Sequence, residues 1–167
     1  MSYVINVHRI IDVPHKIISP ALGNAEKTKA ILMKYLQRVT SNKHCREIRH
    51  SLVCEILHFN DVFLDRCELT DNALRIPVNY AVKVCTPTEQ DTAHINCCFD
   101  SGLFATNCCK NVFVVDNKNN RYKKTECCSK IYAKGDNVRF KPYYWKIGFR
   151  QSDSKYIFLI LCKHVCE

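Results

Sequence analysis

Twelve cysteines and seven histidines are the residues of this 167-residue chain that invite a chemical reading first. Both types ligate zinc, and together they can form a nucleophile and its base, but each chemistry demands a spacing. No Cys-x-x-Cys occurs. The nearest approach to a metal-binding run is Cys162-Lys163-His164-Val165-Cys166, where alternate positions of a strand would share a face. Cys54 and His58 are a close Cys/His pair, and the strand carrying them ends near His58. The histidines are otherwise scattered, no Ser/His/Asp order or paired carboxylates stand at strand ends, and four glycines are too few for a phosphate-cradling loop. No catalytic residue, metal or cofactor is assigned. Three cysteine pairs, Cys97-Cys98, Cys108-Cys109 and Cys127-Cys128, are adjacent in sequence. Neighbours on a strand face opposite sides of a sheet, so the expectation is reduced cysteine serving as a small apolar residue rather than a disulfide framework.

A second chemistry is polyanion binding. The formal net charge is +9, and residues 117–150 hold ten Lys and Arg against only Glu126 and Asp136. The ten are Lys118, Arg121, Lys123, Lys124, Lys130, Lys134, Arg139, Lys141, Lys146 and Arg150. Such a local excess suits either a solvated loop or a phosphate-facing surface. Aromatic residues are interleaved with it: Phe99, Phe104 and Phe113 upstream, and Tyr143-Tyr144-Trp145 within it beside Pro142. Exposed, they would stack on bases; buried, they would fill a core or pack under a loop.

The elements that must hold these residues follow from periodicity. Residues 3–13 alternate as a strand, Pro14 ends it, Ser19-Pro20 and Gly23-Asn24 are alternative helix openers, and from Ala25 the spacing becomes that of an amphipathic helix with Thr28, Ile31, Leu32, Tyr35, Leu36 and Val39 on one side. Glu47 to Leu57 alternates again, Asn60-Asp61 marks a turn, Val62 to Leu69 reads as a further strand, and Asp71-Asn72 is a hairpin turn into LRIPVNYAVKV. Beyond Pro87 the pattern is strands only, at 93–99, 103–109, 112–115, 137–141 and 156–162. The fold class predicted is α+β: an N-terminal tip domain at 1–86, then an all-β OB/S1-like barrel of five strands at 87–167. The short linker between them predicts a rigid joint.

A hydrophobic share of 47% with 25% charged residues belongs to a chain that folds. No apolar run approaches the roughly 18 residues that span a bilayer, and MSYVINVHR lacks the basic-then-apolar layout of a secretory signal. The expectation is a soluble protein made in the cytosol, without a membrane partner.

The order of these elements resembles a known family, the stalk subunit of multi-subunit DNA-directed RNA polymerases, called the seventh subunit in RNA polymerase II and having a counterpart in the archaeal enzyme. The resemblance is carried by the strand and helix from Tyr3 to Val39, by DNALRIPVNYAVKVCTP, by HINCCFDSGLFATNCCKNVFV, and by Gly135 to Lys141 with the closing SKYIFLILC. The chain departs from the family where a glycine usually opens the first barrel strand, here Thr92 or Ala93, and in its shorter linker.

The resemblance implies a non-catalytic subunit whose partners are other RNA polymerase subunits and, weakly and without sequence preference, nascent RNA. Polymerase docking would fall to the tip loops, at Pro20, Leu22, Gly23, Arg66, Leu69 and Asp71. RNA would meet Phe99, Phe104, Phe113, Lys110, Arg139, Lys141 and Tyr143. Compactness and divergence make it similar to poxvirus-like viral versions, which implies host cytoplasm and virion; a cellular version would be nuclear. Two rival readings stand beside it: a free-standing OB-fold RNA-binding protein, and a cysteine-rich metal or redox protein.

Overall fold

The computed structural model describes residues 2–99, 102–115 and 132–164. Its chain divides into two compact units, one of residues 2–49 and 53–84, the other of residues 50–52 and 85–167.

In the first unit β1 (Ser2–Pro14) is followed by a single turn of helix, α1 (His15–Ile18), a 3-10 turn at Ser19–Ala21 and α2 (Ala25–Thr40). Alternation along β1 sends Val7, Ile11 and Val13 into the core. Gly23 takes a left-handed φ of +93°, which lets the chain reverse before the helix. Asn24 then caps α2, its side chain accepting from the Lys27 amide at 2.9 Å. The helix buries Thr28, Leu32 and Leu36, and the Gln37 side-chain amide fastens it to a strand by accepting from the Ile56 N–H at 2.7 Å.

That strand is β2 (Leu52–Val62), followed by a 3-10 turn at Leu64–Arg66, the two-residue β3 (Glu68–Leu69) and β4 (Ala73–Cys85). The four-stranded sheet runs in the order β1-β4-β2, with β3 also paired to β4. Three sequence expectations are corrected here. Residues 47–50 are bend and turn rather than strand, and Asn60-Asp61 lies inside β2 rather than at a turn. Their side chains bond across the sheet instead: the Asn60 amide donates to Asn6 at 3.0 Å, and the Asn79 amide to Asp61 at 3.3 Å. Cross-strand bonding of this kind overrides the turn preference of Asn-Asp. Of the strand expected over 62–69, Val62 ends β2, Leu64–Arg66 form the 3-10 turn, and Glu68–Leu69 form the short β3.

The second unit is a closed barrel of β5 (Asp91–Phe99), β6 (Gly102–Asn107), β7 (Lys110–Val115), β8 (Asn137–Arg150) and β9 (Lys155–His164), in the order β5-β6-β7-β9-β8. Every neighbouring pair is antiparallel except β7 and β9, which run parallel, with Val112 opposite Ile160. Ile95, Ala105, Val112, Val114, Phe140, Phe158 and Ile160 fill its interior at 0% exposure. Such a barrel leaves no free sheet edge in its closed part. Four basic residues of the charged run (Lys118, Arg121, Lys123 and Lys124), Lys130 and the pair Cys127-Cys128 lie outside the described residues.

The expectation that adjacent cysteines sit in regular strand is also corrected. Cys108 and Cys109 form the hairpin turn between β6 and β7, with Cys108 at a φ of +48°. Cys109 is joined by a disulfide to Cys85, 24 residues earlier. Both cysteines belong to the second unit, and neither is reduced.

Candidate nucleic-acid interface

The outer surface of the barrel collects the aromatic residues, because each strand places every second side chain outward. Cross-strand register links them into one row. Cys97 of β5 stands opposite Phe104 of β6, and Phe104 opposite Phe113 of β7. Phe113 then stands beside Leu161 of β9, and Leu161 opposite Tyr144 of β8. The Phe104 and Phe113 rings are 5.0 Å apart between centroids and inclined at 39°. Phe113 is 39% exposed, Tyr144 54% and Phe99, two residues along β5 from Cys97, 52%. Phe104 is half-buried beneath its neighbours.

Two irregularities re-aim side chains in this row. A register shift between Pro142 and Tyr144 leaves Tyr143 without a partner, so Tyr143 and Tyr144 are both exposed although adjacent. A shift between Ile95 and Cys97 does the same at Asn96, which accepts from the Thr106 hydroxyl at 2.9 Å. Trp145 turns the other way, half-buried with its ring 6.0 Å from that of Phe158 and 5.4 Å from that of His50. It is thereby removed from the exposed aromatic set.

Cations flank the row. Lys141 and Lys163 are direct cross-strand partners, separated from the Tyr144–Leu161 pair by Pro142 and Cys162, and both are exposed. Lys146, exposed, lies on the other side, opposite Leu159. Arg139 shares the outward alternation of Lys141 and stands opposite Thr92. Like charges placed directly across from each other repel, so the Lys141–Lys163 pair is a feature that an anion would relieve. Arg150, further along β8, is instead held by Asp153 through two bonds of 2.9 and 2.6 Å.

Lys110 departs from expectation. It is 1% exposed, with its ammonium 3.0 Å from Asp91 Oδ2 and 6.0 Å from the centre of the Phe140 ring. A buried, ion-paired ammonium does not reach a phosphate, so Lys110 belongs to the barrel's structure and not to its outer face. Cys162 is likewise internal at 0% exposure, and burial pushes its thiol up to about 12. That position turns it away from the surface; the side chains of His164 and Cys166 lie outside the described residues.

In the first unit His15 is bonded to the loop between β3 and β4. His15 donates its backbone N–H to Asn72 O at 3.3 Å, and its Nε2 lies 2.9 Å from Thr70 O. The acceptor is a carbonyl, so Nε2 carries the proton. Leu22 is 58% exposed and Leu69 78%. Pro20, Gly23, Arg66 and Asp71 are exposed with them, and Arg66 lies over the Phe63 ring at 5.0 Å.

Of the residues singled out from sequence, Phe104 and Phe113 are brought together, Tyr143, Arg139 and Lys141 lie on the outward side of β8, and Lys110 is withdrawn. Lys163 and Leu161 were missed. Their signal was the alternation of β9, in which Leu161 and Lys163 flank the buried Cys162. No protein-family model matches the chain, and no curated protein matches it. Fold and surface together define a mostly-β protein of two units, one of them a closed barrel with an aromatic and basic outer face.

Proposed function

We propose that the chain is a non-catalytic stalk subunit of a DNA-directed RNA polymerase, its first unit docking on the core enzyme and its barrel guiding nascent RNA. The observation that carries this reading is the barrel's strand order. A first strand paired to both the second and the fourth, and a third paired parallel to the fifth, is compatible with an OB-type barrel, and its place after a strand–helix–sheet unit supports the stalk reading. The row from Cys97 to Tyr144 supports sequence-independent stacking, and the lysines beside it support phosphate neutralisation.

The test is co-purification. Tagged chain recovered from its native cell or virus-infected cell is expected to bring down the large polymerase subunits in a salt-stable complex. Recovery without any polymerase subunit would overturn the reading. Tight oligoribonucleotide binding in that case would favour a free-standing OB-fold RNA-binding protein, for which the same aromatic row speaks.

A further inference from the structure

The first unit contains a cavity of about 200 Å³ that the proposed function does not use. It opens beside the loop after α2, and Val7, Val39, Val53 and Val82 form apolar walls. Two polar groups face the same space. Arg9 lies on the core-facing side of β1, between Val7 and Ile11, where alternation would otherwise place an apolar residue. Its Nε and Nη2 both donate to Glu47 Oε1, at 3.2 and 2.6 Å. Among the described residues its Nη1 makes no hydrogen bond. Glu47 is itself fully engaged, since the Cys45 thiol donates to its other oxygen at 3.2 Å. The pair therefore holds the guanidinium in one orientation with donors to spare.

The second group is Tyr80, 2% exposed and lining the same cavity. Its ring packs edge-on against Phe59, the centroids 6.4 Å apart. Facing the cavity, its hydroxyl can donate to a ligand oxygen. Lys43, His44 and Arg46 also line the cavity. Counting Arg9, Lys43 and Arg46 against Glu47, the lining carries two positive charges in excess. The negative end of α2 does not offset this, because its last carbonyls are occupied. Leu36 O accepts from the Thr40 hydroxyl at 2.6 Å, Gln37 O from the Ser41 amide at 3.0 Å, and Thr40 O from the Lys43 amide at 3.0 Å.

The geometry points to a binding site for a small phosphate monoester: Arg9 and Tyr80 hold the phosphate oxygens, and the valine walls hold an apolar group of few atoms. Two excess charges match the phosphate dianion, and a planar guanidinium offers two parallel donors to it. The site lies within the first unit and is independent of the barrel's outer face.

Calorimetry and phosphorus NMR with phenyl phosphate and with inorganic phosphate, in sodium chloride of matched ionic strength, test the assignment. Saturable one-to-one binding is expected, several-fold tighter for phenyl phosphate. Tyr80→Phe keeps the ring packing and is expected to weaken phenyl phosphate about tenfold, as loss of a hydrogen bond to a charged group does. Arg9→Gln is expected to abolish saturation. Absence of saturable binding, equal affinity for the two probes, or unchanged binding in a folded Tyr80→Phe protein would each overturn it.

Discussion

The Lys110 ammonium and the Asp91 carboxylate meet 3.0 Å apart at the wall of the barrel, the lysine fully buried and the aspartate about three-quarters buried. Asn107 donates to the same Asp91 oxygen at 3.1 Å, and the Thr92 amide to its other oxygen at 2.9 Å. Burial alone would raise the Asp91 carboxyl, but the bonds from Lys110 and Thr92 and the lysine charge bring it below the usual carboxylate range.

Removing one partner strands the other. Lys110→Met is expected to destabilise the protein by about 3 kcal/mol, the usual cost of breaking a buried pair. Because the folded-state value of Asp91 is depressed, the stability it contributes is present above its unfolded value, about 3.9. That contribution is lost as pH falls from there through the lower folded value. Urea unfolding at neutral pH and below about pH 4 checks both points: the wild-type advantage over Lys110→Met shrinks in acid.

Phe113→Ala removes an exposed ring that packs on Phe104. Binding of a single-stranded oligoribonucleotide, read by fluorescence anisotropy, is expected to weaken about tenfold, within the range for loss of one stacked base. Thermal stability is expected to change little because the ring lies outside the barrel core.

Lys141 and Lys163 face each other with like charge. Lys141→Glu converts repulsion into attraction and is expected to raise stability by about 0.5 kcal/mol. The same change weakens oligoribonucleotide binding and lowers its salt dependence, Lys141→Ala reducing the slope by about 0.7. Opposite signs for stability and binding are the mark of a surface adapted to an anion; parallel changes would count against it.

The Cys85–Cys109 disulfide closes a loop of 24 residues. Its reduction is expected to cost about 3 kcal/mol. Alkylation in denaturant without reductant, followed by peptide mass spectrometry, should leave these two cysteines linked. In native protein Cys108, exposed, should be alkylated well before Cys162, whose thiol burial holds near 12.

Leu22 and Leu69 are exposed in the two tip loops. The double substitution to Asp is expected to leave the far-ultraviolet circular dichroism unchanged, since neither side chain is in the core. It is expected to abolish recovery of polymerase subunits with tagged chain; full recovery would remove these loops from the docking role.

Local pattern determined much of this molecule. Period-two alternation placed β1, β4, β5 and β7 within a few residues of their ends, and left open whether Phe104 and Phe113 face outward or inward. Gly23-Asn24 set the start of α2 through a cap that needs only adjacent residues. Alternation, however, says which side chains share a face and not which strand lies beside which. Only the tertiary structure decided that Lys110 would find Asp91, that Cys85 would find Cys109, and that Lys141 would stand opposite Lys163. The two register shifts, at Asn96 and Tyr143, displace the alternation by one and cannot be read from period alone. Arg9 and Tyr80 are 71 residues apart in the chain, and each reads by itself as an ordinary strand residue. Their convergence on one cavity follows from the packing of β1 and β4, which is where the chemistry of this unit was decided.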